Sequence, residues 1–270
     1  MLGAGLYEQL QFLRHAGYWP CIRQPRSFNE KILYRKLFDN LSIASVLADK
    51  WGVREFVAQC IGKDILNEVF FIGEDIDSID INVLPNQFVA KGTHGSGADY
   101  LIFVKDKTTF DVLRFRAQAR AILQRRCGIN HNEFHYARIK PQIMIERLLV
   151  DDLYGIPLDY KFFVFHGTVK YIQVDYDRYG NHTRTLYDRD WMPQKFSVCY
   201  PRGPETSAPS RLADMIAIAE RLAKGFDFLR IDLYCVNDND IFFGEITWTP
   251  ESGRAPFTPR RYDFVLGELW

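Results

Sequence analysis

The sequence predicts an α+β fold, on three observations. Up to about residue 60, apolar residues recur at spacings of three and four, the period of a helix. From about residue 68 onward the pattern changes to short apolar runs bounded by turn residues, the signature of strands. With 270 residues, 47% of them hydrophobic and 15% aromatic, the chain can bury a sizeable core as one large domain or two intimate subdomains.

Taken in order, Phe28-Asn-Glu-Lys-Ile-Leu-Tyr-Arg-Lys-Leu37 has helical spacing, and residues 42–60 continue it. Glu68-Val-Phe-Phe-Ile72, Gln87-Phe-Val-Ala-Lys91 and Tyr100-Leu-Ile-Phe-Val104 read as strands, and residues 111–127 as a helix basic on one face. Ile143-Met-Ile-Glu-Arg-Leu-Leu149 is a further strand. Tyr160-Lys-Phe-Phe-Val-Phe165 and Val169-Lys-Tyr-Ile-Gln-Val174 form a hairpin around His166-Gly167. Residues 176–208 are polar and rich in turns, and residues 210–225 form an amphipathic helix that Gly225 stops. Two last strands, Phe228-Leu-Arg-Ile-Asp-Leu-Tyr234 and the run from Asp240 to Thr247, flank the turn-like Asn237-Asp-Asn-Asp240.

Lys+Arg and Asp+Glu both count 34, so no global field favours nucleic acid or an anionic membrane, and recognition must come from a local site. Glu8 interrupts the opening residues before an apolar signal segment forms, and no run approaches the ~18 apolar residues of a transmembrane helix. These features predict a cytoplasmic protein without a transmembrane segment and leave peripheral membrane association open. Five cysteines, odd in number, widely spread and without a Cys-x-x-Cys pair, read as buried thiols rather than zinc ligands or disulfides.

The chemistry concentrates in the last hairpin. Asp232 and Glu245 each interrupt an apolar strand, where acidic residues are depleted, and pairing of the two strands brings them into one space. Two such carboxylates repel unless a proton or a cation lies between them. Hard oxygen ligands that leave room for phosphate oxygens and water suit Mg²⁺; the alternative is that both face solvent on an edge hairpin. Upstream, Lys91 ends a strand and is followed by Gly92, Gly95 and Gly97, with Thr93 and Ser96 as hydroxyl donors. Glycines let backbone N–H groups approach an anion, so this reads as a phosphate loop, or else as a flexible turn. It lacks the Walker spacing, and a strand rather than a helix follows it. Lys50 and Arg54, four apart, form a phosphate clamp or a solvated basic patch. Lys161 breaks an aromatic strand, where it reaches an anion or edges the sheet. His131 and His135 share a face if their segment is helical, but Glu133 is at the wrong offset for a zinc-protease site. Neither a Gly-x-Ser-x-Gly elbow nor a Cys–His pairing suggests covalent catalysis. Cations, a glycine loop and paired carboxylates together describe a site for a Mg²⁺-bound nucleoside triphosphate.

In this order, Asp49-Lys50 with Arg54, Phe88-Val-Ala-Lys91 with its glycine loop, Ile145-Glu-Arg-Leu148, Arg230-x-Asp232 and Gly244-Glu-Ile-Thr247 resemble the ATP-grasp superfamily. Phe28-Asn-Glu-Lys31, Asp159-Tyr-Lys-Phe162 and Phe243-Gly-Glu-Ile-Thr-x-Thr-Pro250 are similar to its TupA-like family of teichuronopeptide biosynthesis. The resemblance runs from about residue 26 to the end of the chain. It implies an ATP-grasp fold in which two α+β subdomains grip ATP: residues 61–145 with a glycine-rich lid hairpin, and 146–270 with the metal hairpin. A reduced helical region, 1–60, precedes them. Lys91 would bind the phosphates with Arg54, beside the loop residues Gly95, Ser96 and Gly97. Glu146, Arg147 and Leu148 would form the strand that recognises adenine through its backbone. Asp232, Glu245 and Thr247 would hold Mg²⁺, with Arg230 and Lys161 as catalytic cations. The chain departs from many relatives in having Thr247 where they have Asn, and their usual N-terminal α/β domain is expected to be missing or reduced to about 48 largely helical residues before Asp49.

The activity so implied is an ATP- and Mg²⁺-dependent carboxylate–amine ligase that forms an amide through an acyl phosphate. Its setting would be cell-surface polysaccharide biosynthesis, joining an amino acid to a uronic acid or similar saccharide. Arg184, Lys195 and Arg202 are candidates for contacting that acidic substrate. The rivals are a glycosyltransferase of the same pathway, in which the carboxylates would bind a metal–sugar nucleotide, an ATP-grasp phosphotransferase, and a non-catalytic nucleotide-binding subunit.

Overall fold

The computed structural model describes residues 2–178 and 180–270. Four helices open the chain: α1 (Leu2–Ala16), α2 (Phe28–Phe38), α3 (Leu41–Ala48) and α4 (Val53–Cys60). Strands β1 (Val69–Gly73), β2 (Phe88–Gly92) and β3 (Leu101–Val104), helix α5 (Val112–Gln124) and strand β4 (Ile143–Arg147) follow. Next come β5 (Asp159–Phe165), β6 (Thr168–Tyr176), β7 (Thr183–Asp188), β8 (Ser197–Val198), α6 (Leu212–Leu222), β9 (Phe228–Val236), β10 (Asp240–Thr247), β11 (Phe257–Thr258) and α7 (Arg261–Glu268). The mixture of helices with antiparallel sheets is the α+β class that the change of period predicts. The chain divides into two compact units, residues 41–150 and residues 1–40 with 151–270.

In the unit of residues 41–150, four antiparallel strands are ordered β1-β4-β2-β3. Alternation along β2 and β4 sends Phe88, Ala90, Ile143 and Ile145 to one face, where they form a core with Phe115, Ala119 and Ile122 of α5. Asp111 starts α5 by accepting hydrogen bonds from the N–H groups of Leu113 and Arg114 at 2.9 and 3.0 Å. The other face of the sheet carries Val89 and Lys91, opposite Glu146 and Met144 respectively.

In the unit of residues 1–40 and 151–270, five antiparallel strands are ordered β10-β9-β5-β6-β7. Helix α6 packs on one face with Met215, Ala219 and Leu222 fully buried, and Gly225, at φ +88°, turns the chain away after it. Part of the other face is covered by α2, whose start is fixed by a capping box. The Ser27 hydroxyl accepts the Glu30 N–H, and the Glu30 carboxylate accepts the Ser27 N–H at 3.0 Å. Phe28 then packs edge-on against Phe228 (5.1 Å between centroids) and against Phe163, Phe165 and Phe257. Towards the other end of the same face the strands stop presenting rings and present charges.

Candidate active site

Every strand of the five-stranded sheet puts polar side chains on this face, most of them at i and i+2: Asp159 and Lys161 on β5, Gln173 and Asp175 on β6, Arg184 on β7, Arg230 and Asp232 on β9, Glu245 and Thr247 on β10. The register aligns them across the sheet, with Asp159 opposite Asp175, Lys161 opposite both Gln173 and Asp232, and Asp175 opposite Arg184. Glu245 is opposite Asp232 because Gly244 adds a residue to β10; Phe243 pairs with Leu233, and the register then shifts by one.

The pairing of Asp232 with Glu245 that the hairpin predicts therefore exists, and the cation between the two carboxylates is Arg230. Its Nε donates to Asp232 Oδ1 at 2.7 Å, and its Nη2 donates to Asp232 Oδ2 at 2.8 Å and to Glu245 Oε1 at 3.1 Å. The Thr247 hydroxyl donates to Glu245 Oε1 at 3.3 Å. Lys161 is buried beside them, donating to Asp159 Oδ2 at 2.6 Å and Asp232 Oδ2 at 2.7 Å, with Asp175 Oδ2 at 3.9 Å. Burial opposes charge on both Lys161 and Arg230. The carboxylates outweigh it and hold both pKa values above their ordinary ones, Asp159 and Asp232 acting on Lys161, Asp232 and Glu245 on Arg230.

Burial also pushes the Asp175 pKa upward, but Lys161 and Arg184 overcome it and hold the carboxyl at about 2. Arg184 Nε donates to Asp175 Oδ1 at 2.6 Å, and its Nη1 reaches Glu251 Oε1 at 3.3 Å. Glu251, Ser252 and Gly253 adopt left-handed backbone in succession, at φ +49°, +57° and +66°. For two non-glycine residues this is a costly conformation, of the kind that persists where the surroundings over-determine it. Here Lys36 Nζ donates to both the carbonyl and the hydroxyl of Ser252, and a Cβ on Gly253 would stand 2.9 Å from the Asn29 carbonyl.

In the other unit, Lys91 forms an ion pair with Glu146, diagonally across β2 and β4. Arg54 donates from Nη2 to the Asn67 carbonyl at 2.7 Å; burial lowers its pKa, against the pull of Glu146. Lys50 lies in the turn before α4, not on the helix with Arg54, and donates to the carbonyl of Gly95. The first half of the glycine loop is thus anchored: Thr93, His94 and Gly95 are buried, whereas Ser96 and Gly97 are exposed. Gly95 is required because a Cβ there would meet the Tyr100 ring at 2.3 Å, and Gly97 because its φ is +88°. The backbone of Arg147 is engaged on both sides, its N–H by the Glu68 carbonyl at 3.0 Å and its carbonyl by Asn67 Nδ2 at 2.8 Å, while Leu148 is half-buried.

Of the three basic residues proposed for the acidic substrate, the fold brings only Arg184 into the charged row. Lys195 is exposed, and Arg202 pairs with Glu205 at the surface. His131 ends one short 3₁₀ turn, Ile129–His131, and His135 immediately precedes another, Tyr136–Arg138, with Gly128 and Asn132 in left-handed backbone around the first, so the two histidines do not share a helix. Asp159, Gln173, Asp175 and Glu251 escaped the sequence argument as site residues. The i, i+2 placement of polar residues on strands that are otherwise apolar is the signal that would have found the first three.

Among the described residues, no three His, Cys, Asp or Glu side chains are grouped as metal ligands. Asp232 and Glu245 nonetheless supply hard oxygens side by side. With Asp159, Asp175 and Glu251 they outnumber the cations Lys161, Arg178, Arg184 and Arg230 by one. Two adjacent carboxylates are hard-oxygen donors of the kind that Mg²⁺ takes together with phosphate oxygens, since it is rarely held by protein ligands alone.

No curated protein matches the chain by sequence. Among solved structures it is similar to N5-carboxyaminoimidazole ribonucleotide synthetase in an ADP complex, at 13% identity and a TM-score of 0.49, over 76% of this chain and 46% of that one. It is also similar to D-alanine–D-alanine ligase from Bacillus anthracis complexed with ATP, at 10% identity and 0.45, over 77% and 56%. A third is D-cycloserine synthetase, at 12% identity and 0.48, over 84% and 71%. The chain spans about half the length of the first two. The profile of TupA-like ATP-grasp proteins matches residues 30–270, which takes in each of the polar strands above. The chain belongs to the TupA-like ATP-grasp family.

Proposed function

We propose that the protein is an ATP-dependent carboxylate–amine ligase. The observation that carries this reading is the charged row of the five-stranded sheet, where Asp232, Glu245, Arg230 and Lys161 meet in a chain of the ATP-grasp family. In the reaction a substrate carboxylate attacks the γ-phosphorus of ATP, giving an acyl phosphate and ADP. An amine then attacks the acyl carbon, forming the amide and releasing phosphate and a proton. No protein nucleophile is needed, so the protein's part is to align the reactants and neutralise charge.

Lys91 would bind phosphate oxygens, with Arg54 nearby and the backbone of Gly95, Ser96 and Gly97 as further donors, while Glu146, Arg147 and Leu148 would line the base. Arg230, which cannot lose its proton under these conditions, would stabilise negative charge on the transferred phosphoryl group. Lys161 would hold the Asp159 and Asp232 carboxylates in place through its hydrogen bonds to both. Asp232 and Glu245, with Thr247 beside them, would hold Mg²⁺, whose contribution when bound is to neutralise phosphate charge. For the acyl donor we favour a uronic-acid saccharide of surface polysaccharide assembly, with an amino acid as the amine. The sequence motifs shared with the teichuronopeptide family support that choice.

Calorimetric titration with ATP and with UDP-sugars, each with and without Mg²⁺, tests the reading, using Lys91→Ala and Glu245→Gln as controls. Tight Mg-ATP binding that both substitutions weaken is the expected result, followed by ADP release in a screen of uronic acids with amino acids. Preference for a UDP-sugar would overturn it in favour of a glycosyltransferase, and phosphate found on the acceptor would identify a phosphotransferase.

A further inference from the structure

Helix α1 is amphipathic in the opposite sense from a helix that packs its apolar stripe inward. Among its described side chains, those of residues 5–16, Glu8 and Phe12, four residues apart, are the fully buried ones. The Glu8 carboxylate is held inside by Lys36 Nζ at 2.8 Å and Arg254 Nη2 at 2.7 Å. Leu6, Leu10 and Leu13, at the i, i+4, i+7 spacing, are 54%, 51% and 40% exposed. At 3.6 residues per turn these three fall within about 60° of one another and roughly opposite Glu8. Trp19, just beyond the helix, is 52% exposed.

The exposed ionic side chains of residues 5–26 are all basic: Arg14, Arg23 and Arg26, with His15 beside the first. Arg260 adds to them, its guanidinium lying over the Tyr18 ring at 5.6 Å, and exposed Arg261 follows it. In a chain of zero net charge, the segment that carries the apolar stripe thus has only basic side chains among its exposed ionic ones. Leucines on one side, arginines flanking them and a tryptophan at the end are the composition of a helix that lies in the boundary between lipid headgroups and acyl chains. At 15 residues α1 is roughly 22 Å long, and no helix among the described residues is long and apolar enough to cross a membrane.

We propose that this outward face of α1 docks on an anionic lipid surface, with Leu6, Leu10, Leu13 and Trp19 entering the headgroup boundary and Arg14, Arg23, Arg26 and Arg260 meeting lipid phosphates. A second copy of the chain is the less favourable occupant, because a two-fold contact through this face would set the same arginines against each other. The docking is independent of the nucleotide chemistry and would hold the protein at a membrane surface.

Co-sedimentation of the full chain with phosphatidylcholine vesicles, with and without phosphatidylglycerol, tests this. Binding is expected only to the phosphatidylglycerol vesicles and is expected to weaken as salt is raised. Leu10→Glu with Leu13→Glu should abolish it. Arg23→Glu and Arg26→Glu, which lie outside the helix and leave it intact, should each weaken it by about fivefold or more. These positions are exposed, so the melting temperature should stay within a few degrees of the parent's. Absence of binding to anionic vesicles, or binding unchanged in the leucine variants, would overturn the proposal. So would a dimer in sedimentation velocity that Leu10→Glu dissociates while vesicles capture nothing; the face would then belong to a second copy.

Discussion

Glu245 stands directly opposite Asp232 only because Gly244 inserts one extra residue into β10. In an uninterrupted ladder Gly244 would face Asp232 and Glu245 would turn to the other side of the sheet. A Cβ on Gly244 would stand 2.9 Å from the Asp232 carbonyl oxygen and 3.1 Å from the Tyr234 ring. Gly244→Ala is therefore expected to shift the bulge and weaken Mg-dependent ATP binding by about tenfold, or roughly 1.4 kcal/mol, with a smaller effect on ATP without metal. Calorimetry at fixed nucleotide and varied Mg²⁺ checks it; an unchanged Mg²⁺ dependence would detach the metal from this pair.

Lys161 is the single lysine among Asp159, Asp232 and Asp175, and all four side chains are buried. Lys161→Met leaves Asp159 and Asp232 without that cation, and removing one partner of a buried ion pair costs about 3–5 kcal/mol. We expect urea unfolding to show a loss of that order. Restoring the charge balance with Asp159→Asn in the same chain should recover part of it, and no recovery would place the role of Lys161 in packing rather than charge.

Asp175 sets a pH dependence. Its pKa is about 2 in the folded chain against 3.8 as the ordinary value, so its ion pairs with Lys161 and Arg184 favour the folded state. For a depressed carboxyl that stability is complete above the unfolded pKa and is lost as pH falls through the folded one. Stability should therefore drop between about pH 4 and pH 2, by about 2 kcal/mol from this group. In Asp175→Asn that part of the acid transition should be missing, which denaturant unfolding at stepped pH measures.

Lys91 is partly exposed and Glu146 is nearly buried, so the two substitutions should part company. Lys91→Ala is expected to weaken Mg-ATP binding by about ten- to a hundredfold, the worth of one or two hydrogen bonds to a charged group. Glu146→Gln removes the competing carboxylate and should weaken it less. Equal losses in both would make the ion pair, not the lysine, the nucleotide contact.

Much of the candidate site could be proposed from the sequence because its motifs are local. Lys91 followed by three glycines, and acids breaking two apolar strands around an Asn-Asp-Asn turn, are patterns within a few residues. Asn237 and Asp238 do take the left-handed backbone that such a turn calls for. The strand period also told which neighbours share a face. It did not tell the register between strands, and so the Gly244 bulge and the alignment of Asp159, Asp175 and Asp232 around Lys161 stayed out of sight. Nor did it show that Lys50 ties down the glycine loop at Gly95, a contact between residues forty-five apart.

The sequence by itself determined the class of elements, the order of the motifs and which residue types are candidates for phosphate and metal chemistry, because helix and strand periods and turn preferences act over a few residues. The tertiary structure decided which cation neutralises which carboxylate. Arg230 lies between Asp232 and Glu245, and Lys161 is spent on Asp159 and Asp232. Those assignments depend on five strands brought together from residues 159–247, and between largely buried side chains the partner at hydrogen-bond distance outweighs those further away.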